Sequence, residues 1–313
     1  MLQLENQPWL SIVADKDRSQ VLVEHQPFTV IIPAHNEEAV IARCLETIFA
    51  DAPSECMMEV IVAANGCNDK TVEVARIAAP GAVLLNLPVG SKTAAINAAN
   101  RAASYFPRIY VDADVQCGYW SLLALARALR EEGVMTAAPA IRLDLSRCNW
   151  IMKAYYRAWL RQPYATAGKG GAGCYALCAE ALDSVGEFPP ITGDDIWIHT
   201  RFPDHQKRYI TEDEVGRPVV SVVYPPRTAR EQIRVEARRQ NGNTEVRREY
   251  PSPHFANARN GGGLSAALRS GTHPVDLIIF FAIKFAARAL AVWNRKRGAS
   301  TAWTRDLSTR QPS

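Results

Sequence analysis

The chain has little of what would assign it quickly. Its seven cysteines, at positions 44, 56, 67, 117, 148, 174 and 178 of 313 residues, include no C-x-x-C pair. Neither a zinc site nor a disulfide framework is signalled, and reduced thiols in a cytosolic compartment is the plain reading. The N-terminus, MLQLENQPWLSIVADKDRSQ, lacks a basic segment followed by an apolar one, so no secretory signal is read there. Net charge is only +4, too small at this length to point to nucleic acid, although positive charge gathers in the last third. There is no internal repeat and no low-complexity tract. No G-x-G-x-x-G follows the first apolar run, so the dinucleotide fingerprint is missing. Gly90-Ser91-Lys92-Thr93 resembles the end of a P-loop but lacks both glycines that motif requires. A kinase or a dehydrogenase is therefore disfavoured.

What is present is an ordinary globular composition, 48 % hydrophobic and 22 % charged, on a chain long enough to bury a substantial core. Residues 1–26 show no strong periodicity and read as an extension. From Phe28, apolar runs alternate with helical stretches. Strands are expected over 28–34, 59–65, 83–87, 109–113 and 134–142, with helices from about Asn36, Asp69, Ser91 and Trp120. Continuous apolar strands separated by helices predict an α/β fold, a mostly parallel sheet with helices on both faces. The alternation breaks after about Asn149. An aromatic helix, a glycine cluster (AGKGGAGCYALC), a strand-like VVSVVYPP and an arginine-rich helix from Thr228 follow. The expected division is a catalytic domain over 27–226 and a basic, amphipathic helical segment over 227–313.

That segment contains LIIFFAIKFAARALAVW, residues 277–293. Seventeen residues at ~1.5 Å each reach about 25 Å, short of a hydrocarbon core of about 30 Å. Lys284, Arg288 and Arg295 share a face, which makes a basic stripe on an apolar helix. Two readings stay level: a helix lying in a membrane interface through residues 274–297, or one packed on the protein's own core. The first would place a cytoplasmic protein on the inner face of the membrane.

The polar residues fall where a parallel sheet puts its ligands, at the carboxyl ends of strands. His35-Asn36-Glu37-Glu38 follows the first strand, Asn65-Gly66-Cys67-Asn68-Asp69 the second and Gly90-Ser91-Lys92 the third. Asp112-Ala113-Asp114 ends the fourth. Two adjacent carboxylates repel unless a cation, a basic side chain or open solvent relieves them. The pattern alone is weak, since Asp15-Lys16-Asp17 repeats it with no strand before it. In its strand context it suits a hard divalent ion, Mn²⁺ or Mg²⁺, shared with substrate phosphates.

From Phe28 to Asp69, through Gly90-Ser91-Lys92, Asp112-Ala113-Asp114, Gly168–Tyr175 and Gly193-Asp194-Asp195, the chain resembles family 2 glycosyltransferases of the GT-A fold. The resemblance implies an inverting, metal-dependent transfer of a sugar from a nucleotide donor to an acceptor hydroxyl of a carbohydrate or glycolipid. It implies that Asp112 lies near the ribose and that Asp114, with Asp112, holds the metal. Pro33, His35, Asn36, Glu37, Lys92 and Ala113 would border the donor, and Gly171, Gly173 and Tyr175 the sugar or acceptor. Asp195 would be the general base, with Asp194 as runner-up. Arg238 or Arg239 would close over the diphosphate. One departure is clear: Ala64-Asn65 stands where the family has two aspartates, leaving Asn65 to read the base, with UDP ahead of GDP. Two rivals remain, a nucleotidyltransferase on a similar sheet and a non-catalytic scaffold that keeps the pocket.

Overall fold

A computed structural model of the chain describes residues 26–162, 173–255 and 271–297. Nearly all of the expected extension, Gly171 and the polar tail lie outside the described residues. In the first half, β1 (Phe28–Ala34), α1 (Ile41–Phe49), β2 (Met58–Asn65), α2 (Thr71–Ala78), β3 (Val83–Leu87) and α3 (Lys92–Ala102) follow one another. Then come β4 (Arg108–Val111), α4 (Tyr119–Ala128) and β5 (Thr136–Leu143). Every residue of β1 and β4 is buried, because helices cover both faces of the sheet. Helix α1 starts at Ile41, five residues later than about Asn36, where the sequence places it. Asn36 takes a positive φ of 50°, and the Glu37 and Glu38 amides donate to Thr71 Oγ1 and Asp69 Oδ2 instead of entering a helix.

The second half adds α5 (Trp150–Leu160), β6 (Cys174–Leu177), α6 (Ala179–Val185), α7 (Asp194–His199), β7 (Lys207–Ile210) and β8 (Val220–Val223). Two long helices close it, α8 (Ala229–Glu249) and α9 (Pro274–Lys296). The sheet runs β3-β2-β1-β4-β6-β5-β7, with β8 paired to the second half of β5. All pairings are parallel except those of β6, which lies antiparallel between β4 and β5. The sequence reading missed β6, four residues behind a glycine cluster and without a crossover helix to announce it. Strand order reverses at β1, with β2 on one side and β4 on the other. A crevice opens at the carboxyl ends of the strands at such a point.

Two apolar cores result. The larger one lines the sheet, and a smaller one packs Met152, Tyr155 and Tyr156 of α5 against Leu277, Phe280 and Ile283 of α9. Helix α8 bridges them. Its start is fixed by a capping box in which Thr228 and Glu231 bond reciprocally, which satisfies amides left open at a helix N-terminus.

Candidate active site

Four loops at the strand ends are tied together before any ligand enters. Asn65 sits at the end of β2 with its side chain fully buried. Its amide donates to the carbonyls of Ala34 and Ala63, and its oxygen accepts the Ser91 amide at 3.0 Å. His35 Nδ1 bonds the Asn65 carbonyl, and Asn36 Oδ1 accepts the Asn68 amide at 2.6 Å. These three residues, which the sequence reading assigns to the donor, join the β1, β2 and β3 loops to one another. Both amide hydrogens of Asn65 are engaged, and its oxygen accepts one hydrogen bond.

The same loops aim Lys92. Ser91 caps α3, its Oγ accepting the Ala94 amide, so Lys92 is the first helical residue and projects from the helix end. Its Nζ reaches Asp112 Oδ1 at 2.7 Å and Asp194 Oδ1 at 2.9 Å. Asp194 is almost fully buried and accepts a further bond from the Tyr175 hydroxyl at 3.0 Å. Tyr175 is itself fixed by stacking on Tyr110, with ring centroids 4.9 Å apart. The Asp112 amide donates to the Gly173 carbonyl at 2.7 Å, which sets β6 against the end of β4. Gly173 has φ +71°, and a Cβ there would lie 2.6 Å from Val115 and 3.0 Å from Asp112 Oδ2, so no larger residue fits.

A cavity of about 260 Å³ lies over this cluster. Pro33, Glu37, Lys92, Asp112, Ala113, Asp114, Gly173, Tyr175, Asp194 and Asp195 line it, together with Arg238 and Arg239 of α8. The structure therefore brings together most of the residues singled out from sequence, while His35, Asn36 and Asn65 are not among those lining the cavity. His199, His205 and His254 do not line it. Sequence reasoning missed Thr192, Val223 and Val235, which also border the cavity. They are short or apolar side chains that carry no chemical signal of their own.

The charges shape one another. Burial pushes Asp112 up, to about 6; Lys92 pulls it back while Asp194 and Asp114 add to the rise. Burial alone would depress the Lys92 ammonium, but Asp112 and Asp194 outweigh it and hold its pKa above the usual lysine value. Asp195 is raised by burial and by Asp194, against the pull of Lys92 and Arg239. A carboxylate raised in this way is a stronger base than a solvated one. Among the described residues no three His, Cys, Asp or Glu side chains gather as a complete metal shell. The donors at hand nevertheless fit a hard divalent ion. Asp114 borders the cavity, Asp112 keeps 36 % of its side chain exposed, and such ions take one or two carboxylates and complete their shell with phosphate oxygens.

The mostly parallel sheet with its cavity at the carboxyl ends of the strands is that of an α/β protein of the GT-A type. Among solved structures, the chain matches a mannosyltransferase from Pyrobaculum calidifontis in complex with GDP-Man and Mn²⁺. The TM-score is 0.59 and identity 20 %, over 91 % of this chain and 95 % of that one, a likeness of fold. Glucosyl-3-phosphoglycerate synthase from Mycobacterium tuberculosis, in complex with Mn²⁺, UDP-Glc and glycerol 3-phosphate, matches at 0.43 and 21 % identity. That match covers 60 % of this chain and 72 % of that one, too loose to argue from. No curated protein matches the chain in sequence. Residues 29–175 match the family model Glycosyl transferase family 2. That stretch belongs to glycosyltransferase family 2, and the protein is a glycosyltransferase.

Proposed function

We propose that the protein is an inverting, metal-dependent transferase. In this reading it moves a sugar from a nucleotide diphosphate donor, UDP-linked first and GDP-linked second, to a hydroxyl of a carbohydrate or glycolipid acceptor, in polysaccharide or glycolipid synthesis. One observation carries this reading: a single cavity is lined by Asp112, Asp114 and Asp195 together with Arg238 and Arg239. That arrangement suits a diphosphate held between a carboxylate-bound cation and arginines, with a base left over for the acceptor.

The assignment of the base follows from what each aspartate already does. Asp194 has one oxygen on Lys92 and the other on Tyr175, and is buried, so it orients the lysine and has no oxygen to spare. Asp195 borders the cavity and is raised in pKa. It takes the proton of the acceptor hydroxyl, whose oxygen attacks the anomeric carbon on the face opposite the diphosphate. The bond to the diphosphate oxygen breaks, and inversion follows from a single displacement. Arg238 and Arg239 offer donors to the departing phosphate oxygens, which a guanidinium can grip in pairs. Asp114, with the free oxygen of Asp112, would hold Mn²⁺ or Mg²⁺, which supplies charge neutralisation at the diphosphate.

Calorimetric titration with UDP, GDP and their sugar conjugates, in Mn²⁺ and then in EDTA, tests the reading. The expected result is nucleotide binding that needs the metal and weakens at least about tenfold in Asp114→Asn, a loss of ~1.4 kcal/mol. Folded protein that binds neither nucleotide would sink the transferase reading and favour the scaffold.

A further inference from the structure

Two members of the basic stripe that drew attention to α9 in the sequence reach α8, and the third, Arg288, is exposed. Lys284 Nζ meets Glu236 of α8 at 2.9 Å, and Arg295 donates to Asn241 of α8 at 2.6 Å. What faces outward is a different surface. Val275, Ile278, Ala282, Phe285, Ala289 and Val292 recur every third or fourth residue, all exposed. Ile278 is 69 % exposed, Phe285 78 % and Trp293 55 %. Large apolar side chains in a continuous exposed row are uncommon on soluble monomers and mark a contact surface. No helix among the described residues is long and apolar enough to cross a membrane.

We propose that this outward face of α9 seats the protein on an anionic lipid surface. Charge selects the occupant. Arg288, Lys296 and Arg297 are exposed beside the apolar row, and the only acidic residue of α9, Asp276, is buried against Arg157. Two copies of this face would bring together two basic rims with no carboxylate to meet them, whereas anionic headgroups complement such a rim. The Arg297 guanidinium lies 4.0 Å from the Trp293 ring centroid, which sets an amphipathic ring and a cation side by side at the helix end. Tryptophan and arginine favour that headgroup boundary. A 23-residue helix lying flat offers about 35 Å of contact, its apolar row entering the acyl boundary and its basic residues remaining among headgroups. Helix α9 packs on α8, so docking there holds the arginine side of the cavity one helix away from the lipid.

The inference is independent of the reaction and is tested without it, by sedimenting the full chain with vesicles. Phosphatidylcholine vesicles containing phosphatidylglycerol should retain the protein, and pure phosphatidylcholine vesicles should retain much less. Added salt should weaken the binding by screening. Ile278→Glu with Phe285→Glu should reduce vesicle affinity at least about tenfold, since both apolar anchors are lost. Lys296→Gln with Arg297→Gln should reduce it about fivefold per charge. All four side chains are exposed, so thermal melting and nucleotide titration on the same samples should match the parent and separate lost docking from lost folding. Parent protein that ignores anionic vesicles would overturn the proposal. So would equal binding by the double glutamate variant, or a parent dimer in solution that the same variant converts to monomer.

Discussion

Among the described residues, two charge clusters of opposite design are each centred on a largely buried group, Lys92 in one and Glu236 in the other. Under the cavity, the ammonium of Lys92 lies between the carboxylates of Asp112 and Asp194. In the helical layer the carboxylate of Glu236 lies between Lys284 Nζ at 2.9 Å and Arg239 Nη1 at 3.4 Å. One cluster has a carboxylate in excess and the other a cation in excess, and each surplus is turned towards the same cavity. Asp112 remains partly exposed there, and Arg239 also lines the cavity. A cavity lined by both carboxylates and guanidinium groups suits a bound cation together with a diphosphate. The clusters differ in their setting. Strand-end loops make the first, and the face of a long helix makes the second, so damage to each should read differently.

The largest effect is expected at Lys92. Lys92→Met leaves two buried carboxylates facing each other without a cation, and removal of one partner from a buried ion pair costs about 3–5 kcal/mol. The lower end applies here, because Asp112 is partly solvated. Urea unfolding should show that loss, and metal-dependent nucleotide binding should disappear with it. Adding Asp194→Asn should restore part of the stability and none of the binding. A single variant as stable as the parent would mean that solvent, and not Lys92, relieves the carboxylates.

Glu236→Gln should cost less, about 1–3 kcal/mol, since the amide can keep some of its hydrogen bonds. Burial alone would raise the Glu236 carboxyl, but Arg239 and Lys284 hold it below its ordinary range, so its charge is part of the folded layer. Two readouts separate the layer from the site. If Glu236 aims Arg239, nucleotide affinity should fall about fivefold, or ~1 kcal/mol, in Glu236→Gln. It should change less in Lys284→Met, which leaves the Glu236–Arg239 contact in place. Equal nucleotide affinity in parent and Glu236→Gln would show that the helical layer supports the fold and leaves the site alone.

How far the sequence revealed all this depends on the kind of interaction. Strands β1, β2 and β4 were legible because burial on both faces writes itself as apolar runs, and β3 and β5, though partly exposed, are apolar enough to follow the same alternation. Asp112 and Asp114 stood out because two carboxylates at a strand end need a reason. Their cation partner was less visible. Lys92 was one polar residue at a third strand's end, and only folding shows that it reaches two aspartates, one of them 102 residues later. The loop-joining hydrogen bonds of Asn65 were invisible, because its polar side chain looks the same in sequence whether it faces a ligand or staples loops. The two readings of the stripe on α9 could not be separated for a related reason. Periodicity identifies a face of a helix, but not whether that face meets water, lipid or the protein's own Glu236 and Asn241. Strand β6 was hidden by its length.

The smallest expected effect lies at the outer edge of the helical layer and sharpens the contrast through pH. Arg157 donates to both oxygens of Asp276, at 2.8 and 2.7 Å. Those hydrogen bonds with Arg157 hold the Asp276 carboxyl below its ordinary range, against the effect of burial. A carboxyl depressed in the folded state adds stability that is full above its unfolded value, about 3.9, and is lost as pH falls through the folded one. Arg157 is 58 % exposed, so screening limits the pair to about 0.5–1 kcal/mol. Urea midpoints of the parent and Arg157→Gln should therefore differ by that amount near neutral pH and converge below about pH 4. A difference that persisted unchanged into acid would assign the contribution of Arg157 to packing of its aliphatic stem on α9 rather than to its charge.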